Sequence, residues 1–182
     1  MNETNYERHN LGKYSDPSPY PAVEVLSRNI SYAEILMDDY AGVVSEFTAI
    51  NQYLYHHFFF KQIDEELGVL LKNVSINEML HMEILAGTIE KLGGNPVIRG
   101  SKSSLQGNFW SGKFICYGTN LCEQLKADID SEYKAIKEYQ KHICFIRDSR
   151  VQTILQRIIL DEEVHIRLFN QALQRFCGRE YS

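Results

Sequence analysis

Six acidic and imidazole side chains recur along the chain at a spacing that suits a pair of metal ions. The pattern Glu-x-x-His occurs twice, and a further glutamate precedes its first copy by 32 positions and its second by 30. The six residues are Glu46, Glu78, His81, Glu132, Glu162 and His165. Residues three apart on a helix point the same way, so each Glu-x-x-His pair offers one oxygen and one nitrogen ligand to a common point.

Each of the four glutamates interrupts an apolar helical stripe. Glu132, for example, lies between Ile129 and Ile136, on the face that a helix turns toward a core. A buried carboxylate without a partner costs several kcal/mol, and four together repel one another. Two divalent cations would balance four negative charges, and oxygen with imidazole ligands suits iron or manganese. The alternative is that these residues are solvated charges on helix faces. One Glu-x-x-His pair alone would favour that alternative, but two matched copies do not.

Four long amphipathic helices are predicted to position these side chains. The first runs from an N-cap at Ser31 to about Lys61, and the second from about Asp64 to Leu92. The third runs from about Gly118 to Ile146, and the fourth from about Arg150 to Phe176. Such a set describes an all-α, ferritin-like four-helix bundle with a long crossover between helices 2 and 3.

The crossover is predicted for residues 95 to about 116, which carry no clear periodicity. Gly93-Gly94-Asn95-Pro96 gives a strong helix stop before it. Extended at ~3.3 Å per residue, the crossover could span ~70 Å. A helix of 28 residues is only ~42 Å long. We therefore expect the crossover to travel the length of the bundle and return the chain to its starting end.

Composition limits the domain organisation and the partners. The chain has 182 residues, 44% hydrophobic and 24% charged, with a net charge of −5, which indicates one globular domain and no nucleic-acid footprint. Residues 1–28, interrupted by Pro17, Pro19 and Pro21, are expected to form an N-terminal extension to a bundle spanning 29–182. Whether this extension is disordered or lies on a partner subunit stays open.

Cysteine usage and hydropathy indicate a cytoplasmic protein. The four cysteines, Cys116, Cys122, Cys144 and Cys177, have no Cys-x-x-Cys spacing, so no zinc or rubredoxin-type site is expected and the thiols are predicted to be reduced. The first eighteen residues are polar, unlike a signal peptide. No apolar run approaches the ~20 residues that a membrane helix needs, so no membrane partner is expected.

The residues around the six resemble the bacterioferritin branch of the ferritin-like superfamily. The segments 46–53 (Glu-Phe-Thr-Ala-Ile-Asn-Gln-Tyr), 78–81, 125–139 and 161–166 are similar to that family's four ligand helices, and the likeness covers roughly residues 35–176. The resemblance implies that the first glutamate of each half is a terminal ligand, the second bridges two metals, and each histidine caps one metal. The terminal pair would be Glu46 and Glu132, the bridging pair Glu78 and Glu162, and the capping pair His81 and His165.

The same resemblance implies roles for further residues. Tyr53 matches a tyrosine next to the family's metal site, where it would donate an electron or a hydrogen bond, unless it is only a core aromatic. Met79 falls where bacterioferritins bind haem between two subunits, so haem is an alternative cofactor to packing there. Asp128 and Asp161 would orient the histidines, or else serve surface or capping roles. The remaining histidines are expected to be ordinary surface or partly buried ones; they are His9, His56, His57 and His142.

Two departures from bacterioferritins shape the functional expectation. That family has a short fifth helix that helps build a hollow cage, which the sequence after Phe176 does not provide, so a storage cage is not expected. The Tyr20-Pro21 stretch before the first helix resembles one in manganese catalases, which share the dimetal bundle. The sequence thus predicts a homo-oligomeric dimetal oxidoreductase acting on peroxide or dioxygen with an unidentified electron donor, with ferrous iron oxidation as the closest family activity. Manganese catalase, iron storage and a metal-free structural bundle are the alternatives.

Overall fold

The computed structural model describes residues 12–101 and 109–178, and these are almost wholly helical. The helices are α1 (Ile30–Ala41), α2 (Glu46–Phe60), α3 (Glu65–Leu92), α4 (Leu121–Phe145) and α5 (Ser149–Cys177). Both α1 and α2 pack on α3 and α4, so together they take the place of one bundle helix. The predicted all-α four-helix bundle is confirmed. Among the helices of the described ranges, none has the length and apolar character that crossing a bilayer requires.

The ends of the longest helices follow the local chemistry of the sequence. Asp64 caps α3 by accepting a hydrogen bond from the amide of Leu67. Gly93 ends α3 with a left-handed φ of 95°, and Gly178 ends α5 with a φ of 63°. Glycine reaches this region without steric cost, so both helices stop where a glycine follows their apolar stripe.

The first predicted helix is not continuous, which corrects the expectation of one helix from Ser31 to about Lys61. The chain leaves helical geometry at Gly42, whose φ and ψ are −77° and −161°. A Cβ atom at this position would lie 2.5 Å from the carbonyl oxygen of Asp38, so a larger residue would clash. Ser45 then caps α2 by accepting a hydrogen bond from the amide of Thr48. Glu46 therefore begins a new helix instead of lying in the middle of one.

The described residues of the crossover follow the α1–α2 side of the bundle, a side that the sequence did not indicate. Ser101 donates hydrogen bonds from its amide and hydroxyl to the carboxylate of Asp38 over 2.7 and 2.6 Å. The indole of Trp110 donates to the hydroxyl of Thr48 over 2.9 Å, just past the break. Further along, the amide of Cys116 donates to the side-chain oxygen of Gln52 over 2.9 Å. These contacts at successive points along α1 and α2 show that the segment returns along the bundle.

Two hydrophobic cores lie at opposite ends of the bundle. One joins α1 to the later half of α3 and the start of α5, with Leu36, Leu85 and Val151 fully buried in it. The other joins α2 to the earlier half of α3 and the end of α5, with Tyr53 and Phe169 in edge contact. The four glutamates lie on the helices between these two cores.

A disulfide corrects the prediction that all four cysteines are reduced. Cys122 at the start of α4 is bonded to Cys177 at the end of α5, with 6.0 Å between the Cα atoms and a sequence separation of 55. Within the described ranges, Cys116 and Cys144 are free and exposed. The pairing escapes sequence analysis because these two helix ends become neighbours only when α4 and α5 lie antiparallel.

Candidate metal centre

The structure brings all six predicted ligands together in the interior. They come from α2, α3, α4 and α5, and none has more than 3% of its surface exposed. They form two overlapping groups, in each of which three carboxylates and one imidazole offer ligand atoms within 4.8 Å of one another. The shared members are Glu78 and Glu162, while Glu46 and His81 complete one group and Glu132 and His165 complete the other.

Glu78 and Glu162 lie between the two histidine rings. The oxygens of Glu78 are 2.8 Å from Nδ1 of His81 and 2.9 Å from Nδ1 of His165. Those of Glu162 are 3.3 and 3.0 Å from the same two nitrogens. Each carboxylate can therefore reach both positions of a metal pair, which is the geometry of a bridging ligand.

Glu46 and Glu132 each face one ring only. Glu46 lies 3.6 Å from Nδ1 of His81, and Glu132 lies 3.3 Å from Nδ1 of His165. Tyr53 donates a hydrogen bond to Glu132 over 2.7 Å. This arrangement suits terminal ligands.

The electrostatics of the cluster show how strongly it needs positive charge. Burial first, and then the neighbouring carboxylates, raise the pKa of Glu46 and of Glu132 well above the usual value. Burial alone would raise the pKa of Glu78 as well, but the charges of His165 and His81 outweigh it and lower that pKa. Burial thus favours the neutral form of the two terminal carboxyls.

Two buried oxygens test whether cations fit this cluster. Oε1 of Glu78 and Oε1 of Glu162 receive no hydrogen bond from any described residue, although Nδ1 of His165 lies 2.9 Å from the first. Buried carboxylate oxygens are nearly always partnered, and an unpartnered one points to an absent ion or water. Both belong to the residues that the two groups share, so the donor set fits two cations with oxygen and imidazole ligands.

Asp161 holds His81 from outside the cluster. Its Oδ2 lies 2.8 Å from Nε2 of His81, and Arg157 lies 2.8 Å from its Oδ1. Asp161 therefore has the position of a residue that would orient a metal-binding imidazole. Asp128 does not play the matching part for the second histidine, because it partners His56 at 2.8 Å instead.

The described part of the N-terminal segment closes the histidine side of the cluster. The hydroxyl of Ser15 donates to Asp161 over 2.9 Å, and that of Tyr20 donates to the same carboxylate. The backbone carbonyl of Tyr14 lies 3.1 Å from Nε2 of His165. Arg157 anchors the segment by donating to the carbonyls of Asp16 and Ser18, each over 2.8 Å. Residues 14–20 thus lie on this chain's own bundle and form one wall of the site.

Sequence reasoning missed Tyr139, which donates a hydrogen bond to Glu46 just as Tyr53 does to Glu132. A signal was present in the chain. Residues 46–56 and 132–142 both follow Glu-x-x-Ala-Ile-x-x-Tyr-x-x-His, so the two tyrosines occupy matching positions.

The last residue of that repeated pattern corrects the expectation for two other histidines. His56 and His142, expected at or near the surface, have only 0% and 5% of their surface exposed. Each pairs with a buried aspartate, His56 with Asp128 and His142 with Asp39, the latter over 2.7 Å. Their burial depends on partners contributed by other helices, which the sequence alone does not reveal.

The other predicted positions lie away from the cluster or outside the described residues. Met79 points outward, with 46% of its surface exposed. His57 is partly buried and lies 2.7 Å from the backbone carbonyl of Gly68. His9 lies outside the described residues.

Comparisons with known proteins point to one superfamily. The sequence profile of the ferritin-like domain matches residues 42–177. A probable manganese catalase of Clostridium acetobutylicum is 28% identical over 170 residues, covering 84% of this chain and 75% of that protein. A bacterioferritin of Mycolicibacterium paratuberculosis is 32% identical over 131 residues, covering 68% of this chain and 74% of that protein.

Solved structures of the same two kinds of protein superimpose on this chain. A manganese catalase from Anabaena superimposes with a TM-score of 0.80 at 22% identity, covering 89% of this chain and 80% of its own. Bacterioferritin BfrA of Mycobacterium tuberculosis superimposes with a TM-score of 0.68 at 25% identity, covering 84% of this chain and 90% of its own. The bundle is shared by both groups of protein.

Proposed function

Since the chain belongs to the ferritin-like domain family, we propose that its buried cluster binds two iron or manganese ions and makes the protein a dimetal oxidoreductase acting on peroxide or dioxygen. The observation that carries this proposal is the convergence of four buried carboxylates and two imidazoles. One oxygen of each central carboxylate receives no hydrogen bond from the described residues. Such a pair of ions, when bound, supplies two-electron exchange with one oxidant molecule.

The protein's own groups have separate tasks in this proposal. Glu78 and Glu162 would help to hold both ions, because each reaches both histidines. Tyr53 and Tyr139 fix the terminal carboxylates through hydrogen bonds. Burial raises the pKa of Tyr53 well above its usual value, so its phenol keeps the proton that it donates. The dry surroundings exclude bulk water from the reacting positions.

Hydrogen peroxide dismutation is the finer activity that we favour. The likeness to the Clostridium acetobutylicum manganese catalase extends over 170 residues, against 131 for the bacterioferritin, and so covers more of this chain. In the balanced reaction two peroxide molecules give one dioxygen and two water molecules. One peroxide is oxidised and the other reduced, so no separate electron donor is required.

The test begins with metal analysis of the protein purified from its native host, which identifies the ions. Metal-free protein is then loaded with Mn²⁺ or with Fe²⁺ and given peroxide or dioxygen. We expect one dioxygen evolved per two peroxide consumed by the manganese form, and none in a Glu78→Ala variant that does not retain two ions. A wild-type protein that holds two ions yet neither decomposes peroxide nor oxidises Fe²⁺ would overturn the proposal.

Iron uptake and storage is the second candidate, favoured by the 32% identity to a bacterioferritin. It predicts a large assembly that accumulates many Fe³⁺ ions per chain, whereas an enzyme holds two. Size-exclusion chromatography with light scattering, followed by iron loading, separates these outcomes. We expect a small homo-oligomer that stops at two ions per chain, and a large particle filling with iron would favour storage.

A further inference from the structure

The two halves of the cluster are nearly equivalent in their ligands. Each group has one terminal glutamate, one histidine and the same two shared carboxylates. Each terminal glutamate also accepts a hydrogen bond from a buried tyrosine of the other half. Tyr53 donates to Glu132, and Tyr139 donates to Glu46. A difference in affinity between the two metal positions must therefore come from outside these residues.

The outer partners of the two histidines differ in charge. In the position directly before each Glu-x-x-His pattern the chain has Asn77 in the first half and Asp161 in the second. A carboxylate oxygen of Asp161 lies 2.8 Å from Nε2 of His81. Among the described residues, the hydrogen-bonding neighbours of Nε2 of His165 are neutral. They are the backbone carbonyl of Tyr14 at 3.1 Å and the amide of Asn77 at 3.2 Å, which also lies 3.1 Å from Nε2 of His81.

The charged partner of His81 is firmly held. Asp161 is fully buried and accepts hydrogen bonds from the hydroxyls of Ser15 and Tyr20 and from the amide of Asp16. Arg157 lies 2.8 Å from its other side and stacks over the ring of Tyr20 with 4.0 Å to the ring centroid. The carboxylate therefore keeps its position beside the imidazole whether or not Nδ1 binds an ion.

This difference has a direct consequence for metal binding. When Nδ1 of a histidine binds a metal, Nε2 carries a proton and needs an acceptor. A carboxylate acceptor increases the basicity of the imidazole and fixes its orientation, and loss of such a partner typically lowers metal affinity by roughly 10- to 100-fold. Asn77 can turn its amide to offer an oxygen, but a neutral oxygen polarises the ring less.

We propose that the two metal positions load in order, with the His81 position filling first, and that Asp161 is the positioning residue that sets this order. The inference rests on the proposed metal centre. It concerns affinity at each position and does not depend on which oxidant reacts there.

The direct test places the first ion. Crystals of metal-free protein treated with one equivalent of Mn²⁺ are measured for anomalous scattering, which gives the occupancy at each position. We expect most of the signal beside His81. Equal occupancy, or a stronger signal beside His165, would overturn the inference even if the loaded enzyme is fully active. Inactivity of a protein loaded in the expected order would contradict only the proposed function.

A matched pair of variants tests the role of Asp161. Asp161→Asn preserves shape but removes the charge beside His81, whereas Asp128→Asn removes a buried aspartate that pairs with His56 outside the cluster. Mn²⁺ titration against a competing chelator should show a first binding step weakened roughly 10- to 100-fold in Asp161→Asn. The second step, and both steps of Asp128→Asn, should change less than about threefold. Equal loss in both variants would assign Asp161 a purely structural role and overturn the inference.

Discussion

The phenol of Tyr53 on α2 donates a hydrogen bond over 2.7 Å to Glu132 on α4. Tyr139 on α4 donates in return to Glu46 on α2. The two contacts cross the cluster in opposite directions, so each helix both supplies a terminal carboxylate and fixes that of its partner. This reciprocity follows from the repeated pattern of the two helices and assigns the same task to both tyrosines.

Tyr53→Phe and Tyr139→Phe should therefore behave alike. Each removes one hydrogen bond to a terminal carboxylate, and we expect each to lower Mn²⁺ affinity by roughly tenfold, equivalent to about 1.4 kcal/mol. Chelator competition measures this, and Tyr40→Phe, a buried tyrosine on α1 outside the cluster, serves as control. A tyrosyl radical after peroxide treatment that disappears only in Tyr53→Phe would instead assign that residue the electron-donor role.

Glu132→Ala should bind fewer metal ions. The variant removes the terminal carboxylate of the His165 group and leaves the His81 group complete. We expect metal content to fall from two ions per chain toward one, as measured by mass spectrometry of the native protein. Glu163→Ala removes the exposed neighbour of Glu162 and should keep both ions. Unchanged content in Glu132→Ala would remove that residue from the site.

The stability of the metal-free protein should fall as pH rises above about 5. Burial and neighbouring carboxylates raise the pKa of Glu46 and Glu132 above their ordinary 4.5. Burial would lower the pKa of His81 and His165, but the acidic groups around each ring outweigh it and raise both well above the ordinary 6.5. The folded state thus binds more protons than the unfolded state over this range, and such a difference makes the free energy of unfolding decrease with pH.

Metal binding reverses this trend, because the ions displace those protons. Metal affinity should rise over the same pH range, with protons released as Mn²⁺ is added to weakly buffered metal-free protein. Urea unfolding at several pH values, with and without Mn²⁺, checks both slopes. If the metal-free protein became more stable between pH 5 and 8, the pKa values of the buried carboxyls and histidines would not be raised in the folded state.

The bundle and the clustering of the six candidate ligands could be predicted from the sequence for a physical reason. Helical period places Glu78 with His81 on one face, and the same spacing recurs in the second half. The break at Gly42 was not predicted, because a stripe of apolar residues continues across it and glycine is tolerated within helices. The crossover contacts of Asp38 and Thr48, on either side of the break, come from residues far along the chain that the stripe does not reveal.

The sequence did not predict the N-terminal wall of the site, for a different reason. Residues 14–20 have no helical period, and their contacts with the cluster use backbone groups as much as side chains. The carbonyl of Tyr14 beside His165 is one such contact. Backbone atoms are present at every position, so no residue type in this segment signals which of them will face a histidine.

Loss of the disulfide should destabilise the protein without emptying the metal site. The bond closes a loop of 55 residues, for which chain-entropy arguments give a stabilisation of about 4 kcal/mol. Cys122→Ser, or reduction of the wild type, should lower the free energy of unfolding by up to that amount, as measured in urea. Cys144→Ser, at an exposed free thiol, should leave it unchanged. Equal stability of Cys122→Ser and wild type would show that the bond does not form in solution.

Arg157→Ala should release the N-terminal wall. The guanidinium is buried, lies 2.8 Å from Asp161, and donates to the carbonyls of Asp16 and Ser18. Removing one member of a buried ion pair typically costs about 3–5 kcal/mol because the other charge is left unpaired. We expect this loss in unfolding free energy, together with faster hydrogen exchange of residues 12–20.

Arg150→Ala provides the matched comparison for Arg157→Ala. Arg150 lies on the same helix and pairs with Glu24, also in the segment before α1, but the side chains are 49% and 58% exposed. An exposed pair contributes less than about 1 kcal/mol because solvent screens it. We expect little change in stability and none in exchange at residues 12–20. If both variants released the segment equally, its position would depend on total charge and not on the buried contact with Asp161.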